Sequence, residues 1–292
     1  MISVITTTYN RCELLKLALD SVLTQTFRDF EYIIIDDGSN DNTRNEISGY
    51  ADKRVRYFYM NNTGYLSKAR NRGLEEAKGN IVAFLDSDDY WHKNYLMELN
   101  TIYQNPEIVS VISNAQVFNE QVRYRLLDPG KLNALSGRLL QEHLLNDNLV
   151  IYPSCFSFRF NGRQRLNAQL KHGENDLILK TLAVGNSLIS IKELVYIRKH
   201  DSNISAPKTY DSLFIQGYFE EYISLDFLRQ NQLISISLYR KAYSRYLFKQ
   251  AEKMYSIGSK GKAWTTYLRS FFKYPLRIKA LARALRIDRF FN

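Results

Sequence analysis

The sequence predicts an α/β protein built on a mainly parallel sheet with helices on both faces. Three observations lead there. Short apolar runs recur with helical patterns between them, the runs are nearly continuous in Ile, Val, Phe and Leu, and turn residues bracket each one. Alternating strand and helix requires crossover connections and hence parallel neighbours. A run without polar alternation belongs to a strand buried on both faces.

Taken in order, strands are expected at residues 2–6, 32–35, 55–59 and 81–85, with helices at 13–24, 41–48 and 66–78 placing apolar residues at helical spacing. After Asp89 the rhythm loosens: a helix at 94–104, a strand at 108–113, a helix near 132–145, a strand at 155–160, a short helix at 176–183 and a strand at 188–197. The polar stretch 199–207 reads as a boundary or a lid. Beyond Tyr210 the pattern is helical, interrupted at 258–261 and at Pro275.

With 292 residues, 45% of them hydrophobic, the chain can bury a substantial core. The net charge of +10 would by itself suggest a polyanionic partner. Its distribution changes that: residues 239–292 hold 14 Lys and Arg against 2 Asp and Glu, whereas residues 1–238 hold 26 against 28. The excess belongs entirely to the tail. Two cysteines, Cys12 and Cys155, exclude a disulfide framework, no Cys/His cluster has zinc spacing, and the start lacks a secretory leader. No uncharged run approaches the ~18 to 20 residues of a spanning helix. A cytoplasmic protein, at most peripheral on a membrane, is expected.

In an open parallel sheet, ligands bind beyond the carboxyl ends of the strands. Two such ends carry acid here: the strand at 32–35 runs into Asp36-Asp37-Gly38-Ser39, and that at 81–85 into Asp86-Ser87-Asp88-Asp89. Carboxylates gathered this way repel unless a cation or hydrogen-bond donors lie between them. A divalent cation and a ribose are the candidates, and Asp-x-Asp suits a hard ion such as Mg²⁺ or Mn²⁺. A solvated acidic turn or a helix cap is the plainer reading of either loop alone.

Taken together, Ser3-Val4-Ile5-Thr6-Thr7-Thr8-Tyr9-Asn10-Arg11, Ser21-Val22-Leu23-Thr24-Gln25-Thr26-Phe27, Ile35-Asp36-Asp37-Gly38-Ser39, Ala69-Arg70-Asn71-Arg72-Gly73 and Phe84-Leu85-Asp86-Ser87-Asp88-Asp89 resemble the family-2 glycosyltransferases of the GT-A fold. The resemblance implies a nucleotide-sugar donor, a divalent metal and inversion at the anomeric carbon. It puts Thr7, Thr8 and Tyr9 beside the nucleotide base, makes Asp37 the partner of a uracil or other base, sets Asp86 near the ribose and makes Asp88 the main metal ligand. Thr7 departs from the proline common at its position. Lys68 and Arg70 would face the phosphates; the alternative for both is a solvated helix face.

The segment His172-Gly173-Glu174-Asn175-Asp176 resembles the family's Gly-Glu-Asp motif, which supplies the base for the acceptor hydroxyl. It departs at Asn175, which cannot act as a base, so Glu174 is expected to serve, with Asp176 as second candidate; a helix-capping role is the alternative for Glu174. Tyr196-Ile197-Arg198-Lys199-His200 resembles the family's Tyr-Arg-x-His loop, implying that His200 completes the metal shell or touches the diphosphate. His92 and His143 read as surface or packing residues.

The tail interleaves Arg269, Lys273, Arg277, Lys279, Arg283, Arg286 and Arg289 with apolar residues at helical spacing, so a basic amphipathic helix on an anionic bilayer is one expectation and a helix packed on the core the other. Nucleic acid is not expected, for no recognition motif accompanies the charge. The domains follow as 1–207, a GT-A domain with a nucleotide-binding half (1–95) and an acceptor half (96–207), and 208–292, a helical basic region. The function implied is metal-dependent inverting transfer from a nucleotide-diphosphate sugar, UDP-linked by preference, to a glycan or lipid-linked glycan in cell-surface polysaccharide synthesis. The rivals are a non-catalytic nucleotide-sugar or membrane-binding module of the same fold, and a nucleotidyl transferase, which the lack of a glycine-rich, lysine-bearing loop after the first strand disfavours.

Overall fold

The computed structural model of the chain describes residues 1–128, 139–145, 149–200, 210–256, 258–275 and 280–281. Two compact units emerge: residues 1–139 with 149–206, and residues 140–148 with 207–292. Most of the 199–207 loop, the first part of the helix expected near 132–145, and nearly all of the tail beyond Pro275 lie outside the described residues.

In the first unit the elements are β1 (Ile2–Thr8), α1 (Cys12–Leu23), β2 (Phe30–Asp36), α2 (Thr43–Ser48), β3 (Val55–Tyr59), α3 (Leu66–Glu76), β4 (Ile81–Phe84), β5 (Tyr90–Trp91), α4 (Tyr95–Ile102), β6 (Ile108–Phe118) and β7 (Arg123–Arg125). After α5 (Leu139–Leu145), all but the first residue of which belongs to the second unit, the first unit resumes with β8 (Phe156–Arg159), α6 (Glu174–Val184) and β9 (Asn186–Arg198). One sheet holds them in the order β3-β2-β1-β4-β8-β6-β9-β5, with β7 against β6. The expected parallel part is β3-β2-β1-β4, joined by α1, α2 and α3. The sheet is nonetheless mixed, because β8 enters antiparallel between β4 and β6, and β5 and β7 also pair antiparallel.

Both central strands are buried along their whole length, as apolar runs covered on two faces must be. Helix α1 supplies one cover through Leu15, Ala18, Leu19 and Val22, a single stripe at helical spacing, and α3 packs on β1 and β2. Parallel register runs from Ile2 beside Phe30 to Thr8 beside Asp36, and from Ile2 beside Ile81 to Ile5 beside Phe84. The carboxyl ends of β1, β2 and β4 therefore share one edge. Connections leave β1 towards β2 on one side and reach β4 on the other, so this edge includes the switch point where such sheets open a crevice.

The opposite edge is closed by polar bonds. Glu31 accepts from the Ser3 hydroxyl (2.7 Å), the Lys78 amide (2.6 Å) and Arg56 (2.7 Å), and Arg56 also pairs with Glu76 (2.7 Å). Burial pushes the Glu31 carboxyl up, but these donors outweigh it and hold it below its ordinary value.

The second unit contains α7 (Tyr210–Gln230), α8 (Ile236–Ser256) and α9 (Lys260–Lys273). Helices α8 and α9 are clasped where the Ser244 hydroxyl donates to the Ser270 carbonyl (2.8 Å) and the Ser270 hydroxyl to the Ser244 carbonyl (2.6 Å). Small residues there let the backbones approach. Arg245 of α8 donates to the Leu144 carbonyl of α5 (3.1 Å). Among the described residues no helix is long and apolar enough to cross a membrane.

Candidate functional site

The loop after β2 is set by backbone geometry. Gly38 lies at φ +89°, and a Cβ there would stand 2.6 Å from the Asn62 amide nitrogen, so the turn admits glycine alone. Asp36 is consumed by structure: it accepts from Tyr57 Oη (2.7 Å) and from the Ser39 amide (2.7 Å). Asp37 follows with its amide on the Thr8 carbonyl (2.9 Å), which ties it to the end of β1. Its carboxylate accepts from the Thr63 amide (2.9 Å) and hydroxyl (3.2 Å). Burial raises the Asp37 carboxyl above its ordinary value, and the Thr63 bonds offset only part of that. Thr7 and Thr8 are buried beside it, while the Tyr9 ring is 48% exposed.

The loop after β4 gives its three carboxylates different tasks. Asp89 is buried, accepting from the Ser154 hydroxyl (2.6 Å) and the Arg198 amide (3.0 Å). It fastens the loop to the 3-10 turn Pro153–Cys155 and to the end of β9. Burial, then the neighbouring Asp86 and Asp88 charges, push its carboxyl well up. Ser154 also accepts from the Asp86 amide (3.0 Å), so one hydroxyl holds the Asp89 carboxylate and the Asp86 backbone. Because Asp89 holds the Arg198 amide, the chain arrives with His200 against the site. His200 Nε2 stands 3.1 Å from Asp88 Oδ2, and the same oxygen takes Arg11 at 2.6 Å.

Arg70 is the centre of the third group. It lies on α3, 3% exposed, with one guanidinium nitrogen on Asp86 (2.9 Å), another on Glu174 (2.9 Å), and its plane over the Phe84 ring. Burial lifts the Asp86 carboxyl, Arg70 lowers it, and Asp88 and Glu174 raise it further. Glu174 opens α6 directly after Gly173, whose φ of +69° turns the chain into the helix. Only Oε2 of Glu174 meets Arg70; among the described residues no donor reaches Oε1.

These contacts sort the sequence-derived candidates. Asp86, Arg70 and Glu174 form one linked group, Asp88, Arg11 and His200 another, and the backbone 86–88 joins them. Asp37, Thr7 and Thr8 sit at the neighbouring strand ends. Arg70 does not occupy a solvated helix face. Lys68 does: it is exposed, with its ammonium over the Tyr65 ring at 4.5 Å. Asp176 is 1% exposed and committed to Lys180 (2.6 Å) and the Asn167 amide (3.1 Å). Nδ1 of His92 accepts from the Asn94 amide (3.3 Å), and His143 lies on α5. Sequence reasoning assigned no role to Arg11, Thr63 or Ser154. The first belongs to a quoted motif; the other two carry no signal in a single sequence.

The sequence model of a family described as Glycosyl transferase family 2 matches residues 3–165, more than half of the chain and all of the strand-end loops described above save that of β9. The chain belongs to that family. Among curated relatives of this family 2 chain is an Escherichia coli protein described as UDP-Glc:alpha-D-GlcNAc-diphosphoundecaprenol beta-1,3-glucosyltransferase WfgD, 33% identical over 120 residues, 41% of this chain and 47% of that one. Three further curated glycosyltransferases, 36 to 41% identical, are longer proteins, and the matched stretches span 33, 37 and 32% of their lengths. Staphylococcus aureus TarS, solved with UDP-GlcNAc, superposes with a TM-score of 0.71 at 18% identity over 97% of this chain and 85% of that one. A mannosyltransferase of Pyrobaculum calidifontis, solved with GDP-Man and Mn²⁺, gives 0.62 at 15% over 97% and 80%. At such identities the likeness shows the fold: this family 2 chain has the GT-A architecture.

Proposed function

We propose that the chain transfers a sugar from a nucleoside-diphosphate sugar, UDP-linked by preference, to a hydroxyl of a glycan or lipid-linked glycan, with inversion, in the synthesis of a cell-surface polysaccharide. Residues 1–207 are the catalytic domain and 208–292 a helical basic region. The observation that carries the reading is the buried guanidinium of Arg70, which holds the Asp86 loop of β4 and the Glu174 helix together at the strand-end crevice. WfgD's description, with its lipid-diphosphate acceptor, and the UDP-GlcNAc of TarS support the substrate classes.

Thr7, Thr8, Tyr9 and Asp37 bound the nucleobase, Asp37 accepting from it in the manner in which it now accepts from Thr63. Asp86 serves the ribose. The residues present fit a divalent cation by their donor chemistry: a carboxylate oxygen and an imidazole nitrogen, Asp88 Oδ2 and His200 Nε2, meet 3.1 Å apart, with the Asp86 carboxylate in the same loop. Among the described residues no three His, Cys, Asp or Glu side chains are grouped closely enough to hold an ion by themselves. An ion that completes its shell with water and a diphosphate does not need such a group. Asp88, Asp86 and His200 would hold Mn²⁺ or Mg²⁺, which when bound acts as a Lewis acid on the leaving diphosphate. Arg11, already on Asp88, adds positive charge at that point.

Glu174 accepts the acceptor's proton at Oε1 while the hydroxyl oxygen bonds to the anomeric carbon from the face opposite the departing diphosphate. Arg70 fixes Oε2 and so aims the other oxygen. Asp176, spent on Lys180, keeps α6 in place.

A panel of nucleotide sugars, incubated with protein and Mn²⁺ and assayed for free sugar and nucleoside diphosphate, tests the reading. One donor is hydrolysed slowly, and both EDTA and Glu174→Gln abolish it. Binding without turnover across the panel would favour the non-catalytic module, and pyrophosphate release would favour nucleotidyl transfer.

A further inference from the structure

Helix α9 divides its surface three ways. Ala263, Thr266, Tyr267 and Ser270 are buried, a stripe at helical spacing that faces α8. A second stripe, Trp264, Leu268 and Phe272, repeats every four residues, and its ends are exposed to an unusual degree, Trp264 at 44% and Phe272 at 74%. The third carries Lys262 and Arg269, both exposed, and Lys273, whose ammonium stands over the Tyr243 ring of α8 at 5.5 Å. No acidic residue lies between Lys260 and Pro275.

We infer that this face of α9 is a docking surface for an anionic lipid bilayer, with Trp264 and Phe272 entering the interface and Lys262 and Arg269 meeting the headgroups. Two large aromatic rings left in water cost hydrophobic free energy that burial would recover. Indole is suited to the headgroup boundary, where its ring is apolar and its N–H remains wet. The basic stripe beside them supplies charge complementarity to anionic lipid, and the long basic stems reach back to the headgroups. A helix with one face on its own domain, one apolar and one cationic lies flat on a membrane and does not span it. The bilayer is preferred over a second copy of the chain because the cationic stripes of two copies would be brought together in a face-to-face pair.

The surface bears on where the proposed transfer takes place but does not depend on it, since vesicle binding needs neither donor nor metal. The full-length protein is mixed with vesicles of phosphatidylcholine alone or with about a third phosphatidylglycerol, and pelleting is measured at low and physiological salt. Trp91 is buried in the core, so in a Trp91→Phe background the emission reports Trp264. The expected result is pelleting and a blue shift with the anionic vesicles only. Trp264→Ser/Phe272→Ser should weaken pelleting at least tenfold with unchanged circular dichroism, and Lys262→Glu/Arg269→Glu should do the same. These side chains lie outside the helix's buried stripe, so the variants should fold. Wild-type protein that ignores anionic vesicles overturns the inference. So does pelleting that both variants leave intact, which would move binding to other basic segments, and so does a loss of self-association in the serine variant without a change in pelleting.

Discussion

Arg70 illustrates how much a buried charge constrains a site. A guanidinium taken out of water is tolerated only when it is paired and hydrogen-bonded, and Arg70 meets that condition with two carboxylates that come from residues 16 and 104 positions away. Arg70→Met leaves Asp86 and Glu174 without their counter-charge, and unfolding in urea should show a loss of about 3 kcal/mol. Turnover should fall more than tenfold, and Arg70→Lys, which cannot span both carboxylates with a planar fork, should recover stability better than turnover. In sequence, Lys68 and Arg70 look alike, two cations on one helix. Two residues apart they must point to different faces, and which face meets the sheet is decided by packing against β1 and β2, not by local pattern. The acidic loops were legible because each directly follows an apolar strand; the pairing of Arg70 with Glu174 was not, since it joins distant segments. Asp37→Ala removes the carboxylate proposed for the nucleobase, and calorimetric titration with UDP should show affinity at least tenfold weaker.

At the level of elements, the parallel half of the sheet could be read because its strands are nearly continuous apolar runs with helices between them. Strands β5 and β7, of two and three residues, are too short to carry any periodicity. The antiparallel entry of β8 was hidden for a different reason: a strand covered on both faces has the same composition whichever way it runs. Helix α6 depends on Gly173, where a Cβ would sit 2.9 Å from that of Ser67 in a left-handed backbone. Gly173→Ala should cost about 1 to 2 kcal/mol, read as a lower urea midpoint, and should reduce turnover because α6 carries Glu174. The Glu31 bonds at the opposite edge of the sheet give a pH signature. The folded carboxyl titrates below its unfolded value, so its stabilisation is full above that unfolded value, about 4.3, and is lost as pH falls through the depressed one. Glu31→Gln should therefore be destabilised by about 2 kcal/mol at neutral pH. The gap from wild type should narrow below about pH 4 in parallel urea titrations.

For the whole molecule, the net charge of +10 resolves into a body near neutrality and a strongly basic helical region. The body's own acid gathers where β2 and β4 end: Asp37 is held by Thr63 at the first, and Asp86 and Asp88 meet Arg70, Arg11 and His200 at the second. A family 2 chain with this crevice is proposed to act through a metal at Asp88 and a base at Glu174, and the two roles predict different failures. The most direct measurement is steady-state sugar transfer by Asp88→Ala at saturating Mn²⁺ and donor, with Glu174→Gln alongside. The account predicts a loss of at least a hundredfold for Asp88→Ala, with UDP affinity no longer raised by Mn²⁺, whereas Glu174→Gln keeps the Mn²⁺-dependent affinity and loses turnover. Full transfer by Asp88→Ala would contradict it.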